Sequence, residues 1–348
     1  MSVSEAVRVP PPKSIAIASP ISKLAEVATL SAMGASEFYC GVSLESWASR
    51  YGDAAWLNRR GGGVANPSPG ELAKIAQEAA TKGIPVAVPL NAPYYTAEQL
   101  PILLDLCAEM QGGGVSSVIV SDPGLMLALR ESGSTLKIAA SSVAAIRNRR
   151  SAAFYRDIGL QRLILPRHLT VADVVRIREA VGDIELEVFA LNDGCAYEEG
   201  FCATTHAAGA FCLTEWDYEF ERLNGLQLSD QERAAIGANI EDYRSWIWHL
   251  ANCGYRMSAR QLPNGPCGLC AIWDFCQAGI HCLKIVGREA HPSRKLRSLQ
   301  LLRTIVEQVD QGASRAEVQE YAKELRDTPA LCGSGYMCYY RDVGRAAH

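Results

Sequence analysis

Apolar positions fall along this chain in two alternating textures. Short runs with little polar interruption recur: IAIA (15–18), EFYCGV (37–42), IPVAVPLN (84–91), VSSVIVSD (115–122), LKIAASS (136–142), RLILPR (162–167), IELEVFAL (184–191) and HCLKIVGR (281–288). Runs of this kind predict strands buried on both faces, as parallel strands are. Stretches with helical periodicity lie between them, at 21–34, 68–83, 97–114, 123–133, 147–159, 170–182 and 293–312. Gly34 reads as a C-cap, and Ser68, Pro69 and Gly83 bracket the next helix with start and stop signals. Eight strand candidates separated by helices predict an α/β fold, an eight-stranded (β/α) TIM-type barrel. A doubly wound open sheet is the runner-up, weakened because no Gly-rich nucleotide fingerprint follows the first strand.

The pattern also predicts the organisation. Residues 1–13, ending in Pro10, Pro11 and Pro12, read as a flexible lead. The barrel occupies 14–311, with a helical insertion at 213–262 before the last strand, and 312–348 forms a helical tail carrying Cys332 and Cys338. Residues 43–70, rich in glycine, read as a long loop. In the insertion, Ser229 and Glu232 form a capping box for a helix over 230–251. That helix carries Tyr243, Trp246 and Trp248, which form either an interface for a partner chain or a face packed on the barrel.

Composition changes this picture little. Apolar residues make up 48% and charged residues 21%, an ordinary globular balance. The net charge of −4 supplies no global attraction for nucleic acid or an anionic membrane. No apolar run is long enough to span a bilayer, and the first residues lack the apolar core of a secretory signal, so a cytoplasmic location is expected. The twelve cysteines matter more. In a reducing compartment, clustered cysteines point to metal or redox chemistry rather than disulfides. Cys40 and Cys107 stand alone in strand and helix contexts and read as small buried apolar residues.

In such a barrel the chemistry lies at the C-terminal strand ends. That rule selects Ser19, Cys40, Asn91, Asp122, Ser141, Ser142, Arg167, His168, Asn192, Cys195 and Arg288, with Arg59, Arg60, Arg147, Arg149 and Arg150 on nearby loops. Arginines around one mouth suit a carboxylate or phosphate. Arg59, Arg60, Asn91, Ser141, Arg147 and Arg288 are therefore candidate ligands of a small carboxylate donor or substrate. Arg149 and Arg150 read better as the solvated start of a helix. Arg167, Asp122 and His206 are candidate catalytic groups, and His168 and His281 weaker ones. Glu187, mid-strand and pointing into the barrel, is expected to anchor a buried cation such as Lys284.

Cys195, Cys202 and Cys212 follow the seventh strand, and Cys267 and Cys270 precede the eighth. Two thiol groups on neighbouring strand ends can converge on one metal site. Only Cys267-Gly-Leu-Cys270 has the tight spacing of a zinc knuckle, and the wider spacings suit an iron–sulfur cluster somewhat better; both metals stay open at this point.

Several segments carry a resemblance. LNRRGGG (57–63), LPRHLT (165–170), LEVFALNDGCAYEEGFC (186–202) and LKIVGR (283–288) resemble peptidase family U32, the collagenase-like peptidases, over most of the chain. That resemblance implies a barrel holding a 4Fe–4S cluster on four cysteines. It also implies hydroxylation of a ring without molecular oxygen, with prephenate as oxygen donor, as in the ubiquinone-biosynthesis and RNA-hydroxylation members. By position, Cys195, Cys202 and Cys212 match three ligands. Many relatives place the fourth where this chain has Trp216; Cys253, Cys267 or Cys270 would replace it, with the CGLC pair preferred. Arg167 matches a family arginine after the sixth strand. Asn192-Asp193-Gly194 and Val286 depart from the usual pattern, and the large C-terminal domain of RNA-directed members is not expected here.

The expected function is an iron–sulfur hydroxylase or oxidoreductase acting on a small aromatic or cyclic molecule, with nucleic acid and membrane not expected as partners. A peptidase, as the family name has it, and an iron–sulfur subunit acting only with a partner protein or as a homo-oligomer are the alternatives.

Overall fold

The computed structural model describes residues 15–52, 57–59, 65–195, 199–202, 211–213, 216–252 and 256–344. Eight strands close into a barrel in chain order, each parallel to its neighbours: β1 (Ala16–Pro20), β2 (Glu37–Tyr39), β3 (Val86–Leu90), β4 (Ser117–Val120), β5 (Lys137–Ala140), β6 (Arg162–Ile164), β7 (Glu185–Leu191) and β8 (Cys282–Ile285). β8 pairs with β1 through Ala16↔Cys282, Ile17↔Leu283 and Ala18↔Lys284, which closes the ring. The α/β barrel expected from the eight apolar runs is the fold observed.

The first helices are α1 (Val27–Ala32), α2 (Glu45–Tyr51), α3 (Pro69–Thr81), α4 (Gln99–Gly112), α5 (Pro123–Glu131), α6 (Arg149–Asp157) and α7 (Val171–Val181). After β7 come α8 (Asp230–Asn252), α9 (Ile272–Gln277), α10 (Pro292–Asp310), α11 (Arg315–Arg326), α12 (Pro329–Ser334) and α13 (Arg341–Gly344). Strand side chains such as Val88, Val118, Leu163, Val188 and Leu283 are fully buried. That is why these strands show no polar alternation: helices cover their outer faces.

Local signals set many helix starts. Thr170 accepts a hydrogen bond from the Asp173 amide at 3.1 Å, and its hydroxyl donates to the Asp173 carboxylate at 2.7 Å, a capping box that starts α7. Thr170→Ala removes both bonds and is expected to cost about 1 kcal/mol, read as a lower urea midpoint at unchanged slope.

One element differs from the sequence expectation, and one expected helix shows how its face packs. The segment 43–70 contains α2, whose Trp47 is buried and stacks edge-on against Tyr51 and Tyr95 at 4.9 and 6.1 Å. Burial of one large aromatic outweighs a weak local pattern there. In the insertion, α8 buries Ile247 and Leu250, and Leu250 joins Leu331 and Met337 of the tail in a small second core that Trp246 packs against. Trp248 is half exposed, with the Arg256 guanidinium 5.0 Å from its ring centre. No helix among the described residues is long and apolar enough to cross a membrane.

Candidate active site at the barrel mouth

A cavity of about 430 Å³ opens at the C-terminal ends of the strands. Its wall brings together Arg59, Asn91, Ser141, Arg167, Cys195 and Arg288, all picked out by the strand-end rule, and adds Cys212 and Arg294. The Asn91 carboxamide accepts from the Arg59 backbone amide at 3.2 Å and donates to the Ser141 hydroxyl at 3.3 Å. The buried Arg288 donates to Asn58 Oδ1 at 2.8 Å and Asn66 Oδ1 at 3.1 Å, so two amide oxygens orient its guanidinium on the wall. Gly41 makes that approach possible: a Cβ there would lie 2.0 Å from Arg288 Nη1.

Three thiols meet at the rim. Cys195 and Cys212 line the cavity, and Cys202 accepts a hydrogen bond from Arg59 Nη2 at 3.0 Å. The Cys212 thiol is pushed up by burial first and then by the neighbouring Cys195 and Cys202 sulfurs. Arg167 forms a buried ion pair with Glu199, three residues before Cys202, and lies 3.7 Å over the Phe189 ring. It thereby fastens the short turn Glu199–Phe201 that leads into Cys202.

Asn192 turns the chain from β7 into the thiol loop. Its φ of 67° is left-handed, and its buried side chain donates to Ser298 Oγ at 2.8 Å while accepting from Arg294 Nη2 at 3.2 Å. Asparagine tolerates this backbone region better than most residues. Asn192→Ala is expected to cost about 2 kcal/mol, from the strained backbone and two orphaned partners, with a matching fall in thermal midpoint.

Other expected residues go elsewhere. Asp122 is the N-cap of α5, accepting from the Leu125 amide at 2.7 Å, and it does not line the cavity. The carboxylate is spent on helix capping, because Pro123 starts the helix directly after the strand end. Arg147 lies against Gly200 beside the thiol loop rather than on the cavity wall. Arg149 and Arg150 are exposed at the start of α6, and His168 is exposed. His281 precedes β8 at the opposite end of the barrel, where its Nδ1 accepts from the Leu186 amide at 3.2 Å. Arg60, His206 and Cys253 lie outside the described residues. Cys267 and Cys270 are not brought to the mouth: they line a separate cavity with Cys332 and Cys338. The segment after Pro266 is flanked on both sides, pairing with Leu191 and with Cys338, so the tail occupies the space beside it. Cys40 and Cys107 are buried, their thiols pushed up to about 12 by burial, as expected of packing residues.

Beneath the mouth, Glu187 receives Lys284 Nζ at 2.5 Å and Arg162 Nη1 at 3.1 Å, and Arg162 also pairs with Glu37 and Glu185. Glu187 thus anchors a buried cation as expected. Among the described residues, Glu37, Glu187 and Cys282 form the only such group with all ligand atoms within 4.8 Å of one another. Both carboxylates there are already neutralised by Arg162 and Lys284, so this is an ion-pair core rather than a metal site. Sequence reasoning missed Glu199 and Arg294, as well as Tyr339 and Tyr340. These two tail tyrosines donate to the backbone carbonyls of Asn192 and Asp193 and, at 2.9 Å, to that of Phe189. The acidic pair before Cys202 was the available signal for Glu199; the tail contacts left none.

Comparison with known proteins gives partial and full matches. The chain is 37% identical over 86 residues to the tRNA hydroxylation protein P of Haemophilus influenzae, covering 25% of this chain and 19% of that protein. It is 24% identical over 220 residues to the tRNA hydroxylation protein P2 of Bacillus subtilis, covering 62% of this chain and 66% of that one. The matches thus span about a fifth of the Haemophilus relative and about two thirds of the Bacillus one. A solved U32 peptidase aligns with a TM-score of 0.38 at 19% identity, covering 54% of this chain and 74% of that chain. The sequence pattern of peptidase family U32 matches residues 22–346, nearly the whole chain, and the protein belongs to that family.

Proposed function

We propose that the barrel mouth performs an oxygen-independent hydroxylation that depends on a 4Fe–4S cluster held by Cys195, Cys202 and Cys212. The observation that carries this reading is the meeting of three thiols and several arginines at one cavity. The donor set suits the cluster. Zinc bonded at about 2.3 Å to each sulfur draws thiolates to within about 4 Å of one another. No such trio of sulfurs occurs among the described residues, so the spread fits a larger centre. Leu250 and Ala251, near the end of α8, lie on the cavity wall beside Cys195. Cys253, next after Asn252, is on that ground the fourth-ligand candidate, although it lies outside the described residues.

When bound, the cluster supplies one-electron transfer at the mouth. The chain's own groups do the rest. Arg59 and Arg288 bind the carboxylates of an oxygen donor, since a guanidinium fork matches a carboxylate. Asn91 and Ser141 orient the acceptor ring beside them. The net change replaces a ring C–H by C–OH, while the donor gives up its hydroxyl and takes the hydrogen, being reduced as the ring is oxidised. Among the described residues no histidine lines the cavity. A second reading, that the ring is a tRNA base, is favoured by the names of the relatives.

The test is anaerobic purification followed by iron and sulfide determination. Single Cys195→Ser, Cys202→Ser, Cys212→Ser and Cys253→Ser variants are each expected to lose about four irons relative to the parent protein. Arg59→Ala is expected to keep its iron yet lose about 10- to 100-fold in kcat/KM, mostly through a raised KM for the carboxylate donor. Unchanged iron in the Cys195, Cys202 and Cys212 variants would overturn the reading. Parallel assays with a small phenolic acceptor and with undermodified tRNA distinguish the two substrates.

A further inference from the structure

We infer that Cys267, Cys270, Cys332 and Cys338 form a second metal centre, a four-thiolate site for a soft metal that fastens the C-terminal tail to the barrel. These four cysteines come from two distant segments and line one small cavity, apart from the mouth. Cys267 and Cys338 are partners in a parallel bridge, with the Cys267 amide donating to the Met337 carbonyl at 2.7 Å and the Tyr339 amide to the Cys267 carbonyl at 3.0 Å. Partners in such a bridge present their side chains on the same side. Cys270 follows on the turn Leu269–Ala271, and Cys332 sits in α12. The spacings, two residues between the first pair and five between the second, bring ligands from two loops, as closed structural sites do.

The charges around the cavity supply an independent argument. Arg326 lines it and is 3% exposed, yet Nη1 has no hydrogen-bond partner and the residue forms no ion pair among the described residues. Its other terminal nitrogen donates to the Gly265 carbonyl. An isolated buried cation is costly and calls for an anion. Binding a divalent metal releases four protons, and four thiolates with the metal carry a net charge of two minus, which Arg326 and Lys323 offset. The site has a consequence for the mouth. Tyr339 and Tyr340 directly follow Cys338 and hold the backbone of Phe189, Asn192 and Asp193, so a metal here locks the strand end from which the thiol loop departs.

As at the mouth, no trio of these sulfurs lies within 4.8 Å, so the spread suits an iron–sulfur cluster better than zinc, and metal analysis tells the two apart. The decisive protein is the full chain with Cys195, Cys202, Cys212 and Cys253 all changed to Ser, which removes the mouth thiols. It is expected to retain either about one zinc or about four irons with sulfide per chain. Adding Cys332→Ser and Cys338→Ser should remove that metal. Because these variants could unfold, the parent protein is examined too, by alkylation under native anaerobic conditions and mass spectrometry. Cys267, Cys270, Cys332 and Cys338 should be protected there, and chelator treatment should expose all four together. A folded mouth-thiol variant with no metal, or four cysteines that alkylate alike with and without chelator, overturns the proposal. Because the mouth thiols are absent from the test protein, the result does not depend on whether the mouth holds a cluster.

Discussion

Glu187→Ala should destabilise the fold by about 3–5 kcal/mol, among the largest effects of any single substitution in the barrel. Glu187 is 2% exposed and is the shared anion of Lys284 and Arg162 inside the barrel. Truncation leaves Lys284, itself 7% exposed, buried with its charge uncompensated. Arg162 fares better, since Glu37 and Glu185 still hold it. The Glu187,Lys284→Met double variant should recover much of the loss, because it removes the charges in pairs. The pH dependence has a definite sign. Burial alone would raise the Glu187 carboxyl, but Lys284 and Arg162 outweigh that and hold it below its ordinary value. A carboxyl depressed on folding adds stability above its unfolded pKa, about 4.3, and that contribution fades as pH falls through the folded value. The gap in urea midpoint between the parent and Glu187→Gln should therefore be largest near neutrality and shrink below about pH 4. A gap that grows on acidification, or a Glu187→Ala cost under about 1 kcal/mol, would show that the network is not a coupled ion-pair core.

The barrel was legible because its strands are buried on both faces and announce themselves as unbroken apolar runs. The positional rule for strand ends then found Asn91, Ser141, Arg167 and Arg288 without any knowledge of side-chain geometry. It failed where a side chain had a local use: Asp122 stands at a strand end, but Pro123 makes it a helix cap. The rule also assigned no roles. Arg167 was expected as a catalytic group, and nothing in its position signalled that it would pair with Glu199 before the thiol loop. Long-range pairing was the least legible feature. CGLC and CGSGYMC lie some sixty residues apart, and nothing in either segment signals that Cys267 will pair with Cys338. Proximity to the eighth strand suggested the wrong neighbours for Cys267 and Cys270, because a segment beside one strand end can still turn its side chains toward a tail arriving from elsewhere. Helix α2 escaped for the opposite reason, since its stability rests on one buried tryptophan rather than on a periodic face.

Arg167→Ala should be the most damaging change at the mouth that touches no thiol. The Arg167 and Glu199 side chains are 16% and 7% exposed, so loss of the arginine strands a buried carboxylate. Breaking a buried pair in this way costs about 3–5 kcal/mol. Here the cost falls on the turn Glu199–Phe201 rather than on the whole barrel, because Arg167 reaches that turn from the end of β6 and only its stack on Phe189 faces the core. The expected result is a protein that stays folded by far-ultraviolet circular dichroism but loses most of its mouth iron, with Cys202 alkylated faster than in the parent. Glu199→Ala should give the same phenotype in milder form, since the arginine it frees can still stack on Phe189. The double variant should be no worse than Arg167→Ala alone, as expected of two groups that act through one contact. Arg167→Lys separates bracing from chemistry. A lysine can keep the charge near Glu199 but loses the planar stack, so iron retention should be intermediate. Full iron in Arg167→Ala together with a collapse in kcat would instead place Arg167 among the groups that touch the reacting atoms.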